Sequence, residues 1–144
     1  MNFVMFGLSV EEAAKLHGHK GPWLVLGYKA GKRAKEILKP ESEHDLYCIV
    51  KTPLKTPYTC AIDGIQAVSG CTLGKLSIEI KDSSLEETTY LFIDRRNNKR
   101  VEFKLRTDVP KLIDELYEKY GLERTAEIIE SEDICKLFKE KLYD

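Results

Sequence analysis

No stretch of this 144-residue sequence stays apolar long enough to cross a membrane, and its formal charge is only -1. So small a net charge gives no electrostatic reason to expect nucleic acid or an acidic membrane as partner. There is no C-x-x-C pair, no G-x-S-x-G elbow and no H-E-x-x-H helix, so zinc-finger, common hydrolase and metalloprotease readings find no support. The segment "GCTLGK" at 70–75 fails as a phosphate loop, because too few residues separate its glycines and Leu76 stands where Ser or Thr would hold magnesium. The opening "MNFVMFGL" lacks the basic flank of an export signal, which predicts a cytoplasmic protein. Cys48, Cys60, Cys71 and Cys135 are therefore expected as reduced thiols rather than a disulfide framework. Histidine is scarce as well: there are three, and two of them flank Gly18.

Hydrophobic residues (42%) and charged residues (33%) are balanced as in an ordinary globular domain, and the length suits one domain over 1–144. Ser9 and Glu12 have capping-box spacing ahead of a short helix from about Val10 to Leu16, stopping near Gly18. Pro22 suits the first position of a second helix that runs to about Leu38. Trp23, Gly27, Ala30, Gly31 and Ala34 give that helix one small face for close packing. "LYCIVKT" at 46–52 predicts a strand, and Thr59 a cap for a helix from Cys60 to about Ser69 that ends at Gly70. "KLSIEIKD", "TTYLFID" and "KRVEFKLR" alternate as half-buried antiparallel strands, the last two joined by Asn97 and Asn98. "RRNNKR" at 95–100 reads as a solvated hairpin turn. From Asp108 the apolar period becomes helical through Leu142. The order predicts an α+β, two-layer plan, with a core over about 10–106 and C-terminal helices over 108–144.

His17 and His19 would lie on opposite faces of a continuous helix; the break at Gly18, Gly21 and Pro22 lets them converge at the mouth of the second helix. Capping or plain surface placement is the bland alternative. Cys60 and Asp63 share a helix face, and a cysteine in a first helical turn is expected to have a lowered thiol pKa, which favours the thiolate that binds metals. Its bland alternative is a small packed residue. Eleven residues of helix span about 16 Å, so Cys60 and Cys71 of one chain are not expected to share a metal whose two thiolates stand only about 4 Å apart. Cys48 and Cys135 read as packing residues.

An H-G-H segment at a helix start, Cys60 followed by "DGIQ" at 63–66, and "GCTLGK" form a more specific combination. It resembles the FmdE-like family of formylmethanofuran dehydrogenase subunits, whose pattern is H-G-H-x-C-P, then C-x-x-D-(A/G)-I-Q and G-C-T-x-G-K. His17, Gly18, His19, Pro22, Gly27, Cys60, Asp63, Ile65, Gln66, Gly70, Cys71, Thr72, Gly74 and Lys75 match, over about residues 10–106. The resemblance implies an α-β-α-β-β-β core with a mixed sheet and a homodimer; the C-terminal zinc finger of some members is absent. One position departs: the cysteine before the proline is Gly21 here.

The resemblance also implies a zinc-like or other divalent transition-metal site, with His19 and Cys60 as ligands and His17, Asp63 or water completing or supporting the set. Cys71 joins only if the helix after Cys60 is shorter than expected or a second subunit brings its own Cys71 across. Three functions follow: a metal-binding accessory protein associated with a molybdenum or tungsten dehydrogenase, a stand-alone metal-dependent enzyme on a small substrate, or a metal-free dimeric scaffold.

Overall fold

A computed structural model describes residues 6–144. The chain begins with helix α1 (Val10–His17), capped by the Ser9–Glu12 box: the Glu12 amide donates to Ser9 Oγ at 3.1 Å, and the Ser9 amide to Glu12 Oε1 at 2.9 Å. Gly18, at φ 117°, ends it in the left-handed region that favours glycine. Helix α2 (Pro22–Leu38) follows with Pro22 in its first turn, then strand β1 (Leu46–Thr52) and helix α3 (Cys60–Ser69), which ends on Gly70. These four elements have almost the boundaries expected from their punctuation.

Strands β2 (Ile78–Asp82), β3 (Thr89–Asp94) and β4 (Arg100–Leu105) precede helix α4 (Val109–Ser131), the short helix α5 (Ile134–Leu137) and strand β5 (Phe138–Tyr143). The strands form one mixed sheet in the order β2-β1-β3-β4-β5. The α+β class with C-terminal helices holds, and three expectations within it change. β2 runs parallel to β1, because α3 is the crossover between them; the remaining pairs, β1 with β3, β3 with β4 and β4 with β5, are antiparallel. Leu76 is 75% exposed at φ 55° in the turn before β2, held there by the Ser77 amide bonding Thr72 O, so the expected alternation buries Ile78 alone. The last segment is a strand, since Phe138–Tyr143 alternates as well as it spirals and β4 would otherwise be an open edge.

The core lies between the sheet and its single helical layer. Leu46, Cys48 and Val50 of β1, Tyr90 and Phe92 of β3, and Val101, Phe103 and Leu105 of β4 face it and are buried. α2 packs on β3 and β4, with α3 and α4 packed on α2. Ile113, Ala126, Ile129 and Phe138, beyond residue 106, are buried in the same core. The alternate strand residues face away from the helices and are half-buried or exposed.

The turn at 95–100 is more than a solvated patch. Arg96 grips the buried Asp94 carboxylate with two bonds, Nε to Oδ1 at 3.0 Å and a terminal nitrogen to Oδ2 at 2.8 Å, and donates to Lys39 O at 2.9 Å. Burial alone would raise the Asp94 pKa; the Arg96 hydrogen bonds and charge outweigh it and hold the carboxyl below its usual range. The turn is thereby fastened to the end of α2.

Candidate functional site

The site is built where α1 ends, α2 begins and α3 begins. Its position follows from how closely α2 and α3 approach. A Cβ on Gly27 would lie 1.9 Å from Ala61 O, and one on Gly64 would lie 2.1 Å from Leu24 O. Both glycines are therefore required by backbone contact, and they fix the first turn of α3 against α2. Cys60 and Asp63, three residues apart on that turn, are presented together to the His17–His19 turn.

His17 and His19 do converge, with ring centroids 4.8 Å apart. His17 Nδ1 lies 2.6 Å from Asp63 Oδ2. A neutral imidazole that donates Nδ1–H to that carboxylate has its lone pair on Nε2, and Nε2 is buried without a hydrogen-bond partner among the described residues. A buried, unpartnered imidazole nitrogen is costly unless something fills the position. Asp63 is itself held on its other oxygen: Gln66 Nε2 donates to Oδ1 at 3.3 Å, and Gln66 Oε1 accepts from the Leu73 amide at 2.9 Å. "DGIQ" is thus one hydrogen-bonded chain leading to His17.

His17, His19 and Cys60 line one cavity of about 100 Å³. Trp23 and Pro57 form part of its wall, as do Ile113, Tyr117 and Leu122 of α4. Trp23 is held by an edge contact with Tyr58 at 5.0 Å between centroids. The α4 wall had no local signal in the sequence, because its side chains are ordinary helix residues delivered by the tertiary fold.

Cys60 differs from expectation. Burial pushes its thiol up, and the Asp63 carboxylate adds to the shift. Its own backbone amide counters this only in part, since the amides of the helix start are shared with backbone carbonyls: Cys60 N donates to Pro57 O at 3.0 Å, and Ile62 N to Thr59 O at 3.0 Å. Thr59 has helical angles and makes no side-chain cap. Cys71 is fully buried, with a thiol pushed up to about 11 by burial, and Cys48 is buried and shifted well up. Cys71 does not line the cavity. Cys135, expected to pack, is exposed on α5.

These environments predict an order of reactivity. Disulfide-exchange titration of the native protein at neutral pH is expected to show Cys135 reacting first and Cys60 slowly, with Cys48 and Cys71 silent until denaturant is added. Prompt labelling of Cys60 would contradict the burial described.

The donors suit a borderline-soft cation: imidazole nitrogen, thiol sulfur and a carboxylate that orients the imidazole. Among the described residues no three His, Cys, Asp or Glu side chains form a metal-holding group. His17, Cys60 and His19 therefore border the same space, short of a formed tetrahedron.

The fold and site define a class: a small α+β protein with a donor-lined pocket where three helix ends meet. The chain belongs to the FmdE family, whose model, described as "FmdE, Molybdenum formylmethanofuran dehydrogenase operon", matches residues 16–142. That match reaches through α4 and into β5, beyond the segment whose motifs carry the resemblance. A comparison with curated proteins found no match. Among the described residues no helix is long and apolar enough to cross a membrane.

Proposed function

We propose that this protein is an FmdE-type accessory protein of a molybdenum formylmethanofuran dehydrogenase, and that its pocket takes a divalent transition metal, zinc by donor chemistry. The association with the dehydrogenase rests on family membership. The observation that carries metal binding is His17, whose Nδ1 is committed to Asp63 while its buried Nε2 has no partner among the described residues. A carboxylate–histidine pair of this kind sets the tautomer and orientation a metal ligand needs.

In this reading His17 Nε2 and the Cys60 sulfur are the two inner donors. His19, whose exposed ring makes no hydrogen bond among the described residues, supplies the third. Asp63 orients His17, and Gln66 orients Asp63. Zinc held by three protein donors is a Lewis acid with one position left for a small ligand. Trp23, Ile113 and Leu122 give an apolar wall to a space that admits only a few atoms.

Elemental mass spectrometry on untagged protein, reconstituted under reducing conditions, tests the reading. Near one equivalent of zinc or another transition metal is expected in the wild type, with loss in both His17→Ala and Cys60→Ser. Absence of metal from the reconstituted wild type would leave the dimeric scaffold as the better account, with Gly21 marking the donor that is missing.

A further inference from the structure

The sheet face turned away from the helices carries a feature invisible in the linear sequence. Register places Lys81 opposite Lys51, Lys51 opposite Thr89, Thr89 opposite Lys104, and Lys104 opposite Lys139. Cross-strand partners share a face, so four lysines and one threonine form a single row across all five strands, about 19 Å long at the usual strand spacing. Two of the four have internal partners: Lys81 Nζ lies 3.3 Å from Glu79, and Lys104 Nζ donates to Glu86 O at 3.0 Å. Lys51 and Lys139 are exposed and have no ion pair among the described residues. Like charges directly opposite one another on neighbouring strands are destabilising. The chain carries this row despite a net charge of -1.

Beside the row lies a half-buried aliphatic centre in which Ile49 pairs with Leu91 and Ile93 pairs with Tyr47. An apolar centre flanked by charge is the anatomy of a protein–protein interface. We propose that this face docks an acidic protein partner, one that presents a line of carboxylates to the lysine row and a small apolar surface to Ile49 and Leu91. The proposal is independent of the metal pocket, which lies among the helices on the other side of the sheet.

Other occupants fit less well. A second copy set face to face would bring two lysine-rich faces together, which costs energy rather than gaining it. Single-stranded nucleic acid needs free aromatic rings for stacking. Here Arg95 sits over the Tyr47 ring at 5.0 Å and Lys141 over Tyr143 at 4.9 Å, so neither ring offers both faces to a base.

The test uses fluorescein-labelled poly-L-glutamate as probe, followed by anisotropy at low salt, with a single-stranded oligonucleotide of equal charge and anionic vesicles as comparisons. The wild-type chain is expected to bind the polyglutamate in preference to both. Lys51→Glu/Lys139→Glu is expected to weaken binding roughly tenfold or more. The same pair is expected to leave the thermal midpoint unchanged or raised, because it relieves repulsion along the row; a merely structural role would lower it. Lys111→Glu/Lys119→Glu on α4, with the same change in charge, is expected to bind like wild type. Equal weakening by the α4 pair, or no binding of polyglutamate by the wild type, would overturn the proposal. Tighter binding of the oligonucleotide would replace it with a nucleic-acid surface, and of the vesicles with a membrane surface. Self-association that the Lys51/Lys139 pair abolishes would assign the face to a second copy. Metal content is expected to be the same in all variants, which separates this result from that of the pocket.

Discussion

Gly64→Ala is expected to lower the stability of this protein by about 3 kcal/mol and its thermal midpoint by roughly 10 °C. The new Cβ would meet Leu24 O at 2.1 Å and Tyr28 N at 2.7 Å. Both are backbone atoms inside α2, so neither can swing aside as a side-chain tip would. Helix propensity works the other way, since alanine is favoured over glycine within a helix by about 1 kcal/mol. Contacts this short outweigh it, because α2 and α3 must separate before the methyl group fits, and separation opens gaps on both sides of the contact. Gly74→Ala is the control: nothing lies within 4 Å of its Cβ position, and its effect is expected to stay within about 0.5 kcal/mol. Thermal and urea unfolding followed by circular dichroism measure both. A Gly64→Ala protein as stable as wild type would mean that the two helices are not in backbone contact.

The second large effect concerns metal affinity. Asp63→Asn keeps the shape of the side chain and removes the charge that receives the His17 Nδ1 proton at 2.6 Å. Loss of such an orienting carboxylate is expected to weaken zinc binding about 10- to 100-fold, measured by competition with a chromophoric chelator. Gly21→Cys is expected to act in the opposite direction. Gly21 has φ -121° and ψ 163°, extended backbone that any residue adopts, and its Cβ would stand 3.4 Å from the His19 ring, an ordinary contact. One added thiolate is worth about 3 kcal/mol when the affinity of a structural zinc site is divided over its ligands, or roughly a hundredfold. An Asp63→Asn protein with unchanged affinity would remove Asp63 from the site, and a Gly21→Cys protein with unchanged affinity would place the metal elsewhere.

How much of this could be read beforehand depended on whether the signal was local. Ser9 with Glu12, Pro22, Pro53 and Gly70 punctuate the chain, so α1, α2, β1 and α3 were legible almost to the residue. The break after His17 was equally local, and the convergence of the two imidazoles followed from it. Tertiary effects decided the rest. Phe138–Tyr143 has spacing that suits a helix or a strand, and only the open edge of β4 selects the strand. A first-turn cysteine ordinarily gains from free amides, but here burial and the Asp63 carboxylate outweigh the one amide that still helps, and the others bond Pro57 O and Thr59 O. The lysine row depends on the registers of four strand pairs, so the one-dimensional charge pattern held no trace of it.

The cavity wall is divided unequally between rigid and adjustable parts. Cys60 and Asp63 stand on α3, whose backbone touches that of α2 at Gly27 and Gly64, whereas the cover comes from α4, which is interrupted at Gly121 (φ 82°, ψ 180°) between Tyr117 and Leu122. Nothing lies within 4 Å of the Cβ position at Gly121. The placement of the His17–Asp63 pair and the size of the chamber are therefore set by different elements. Exchange of Tyr117 or Leu122 would resize the chamber while leaving the His17–Asp63 pair in place, so the volume of the cavity can change without any change in the donor groups that border it.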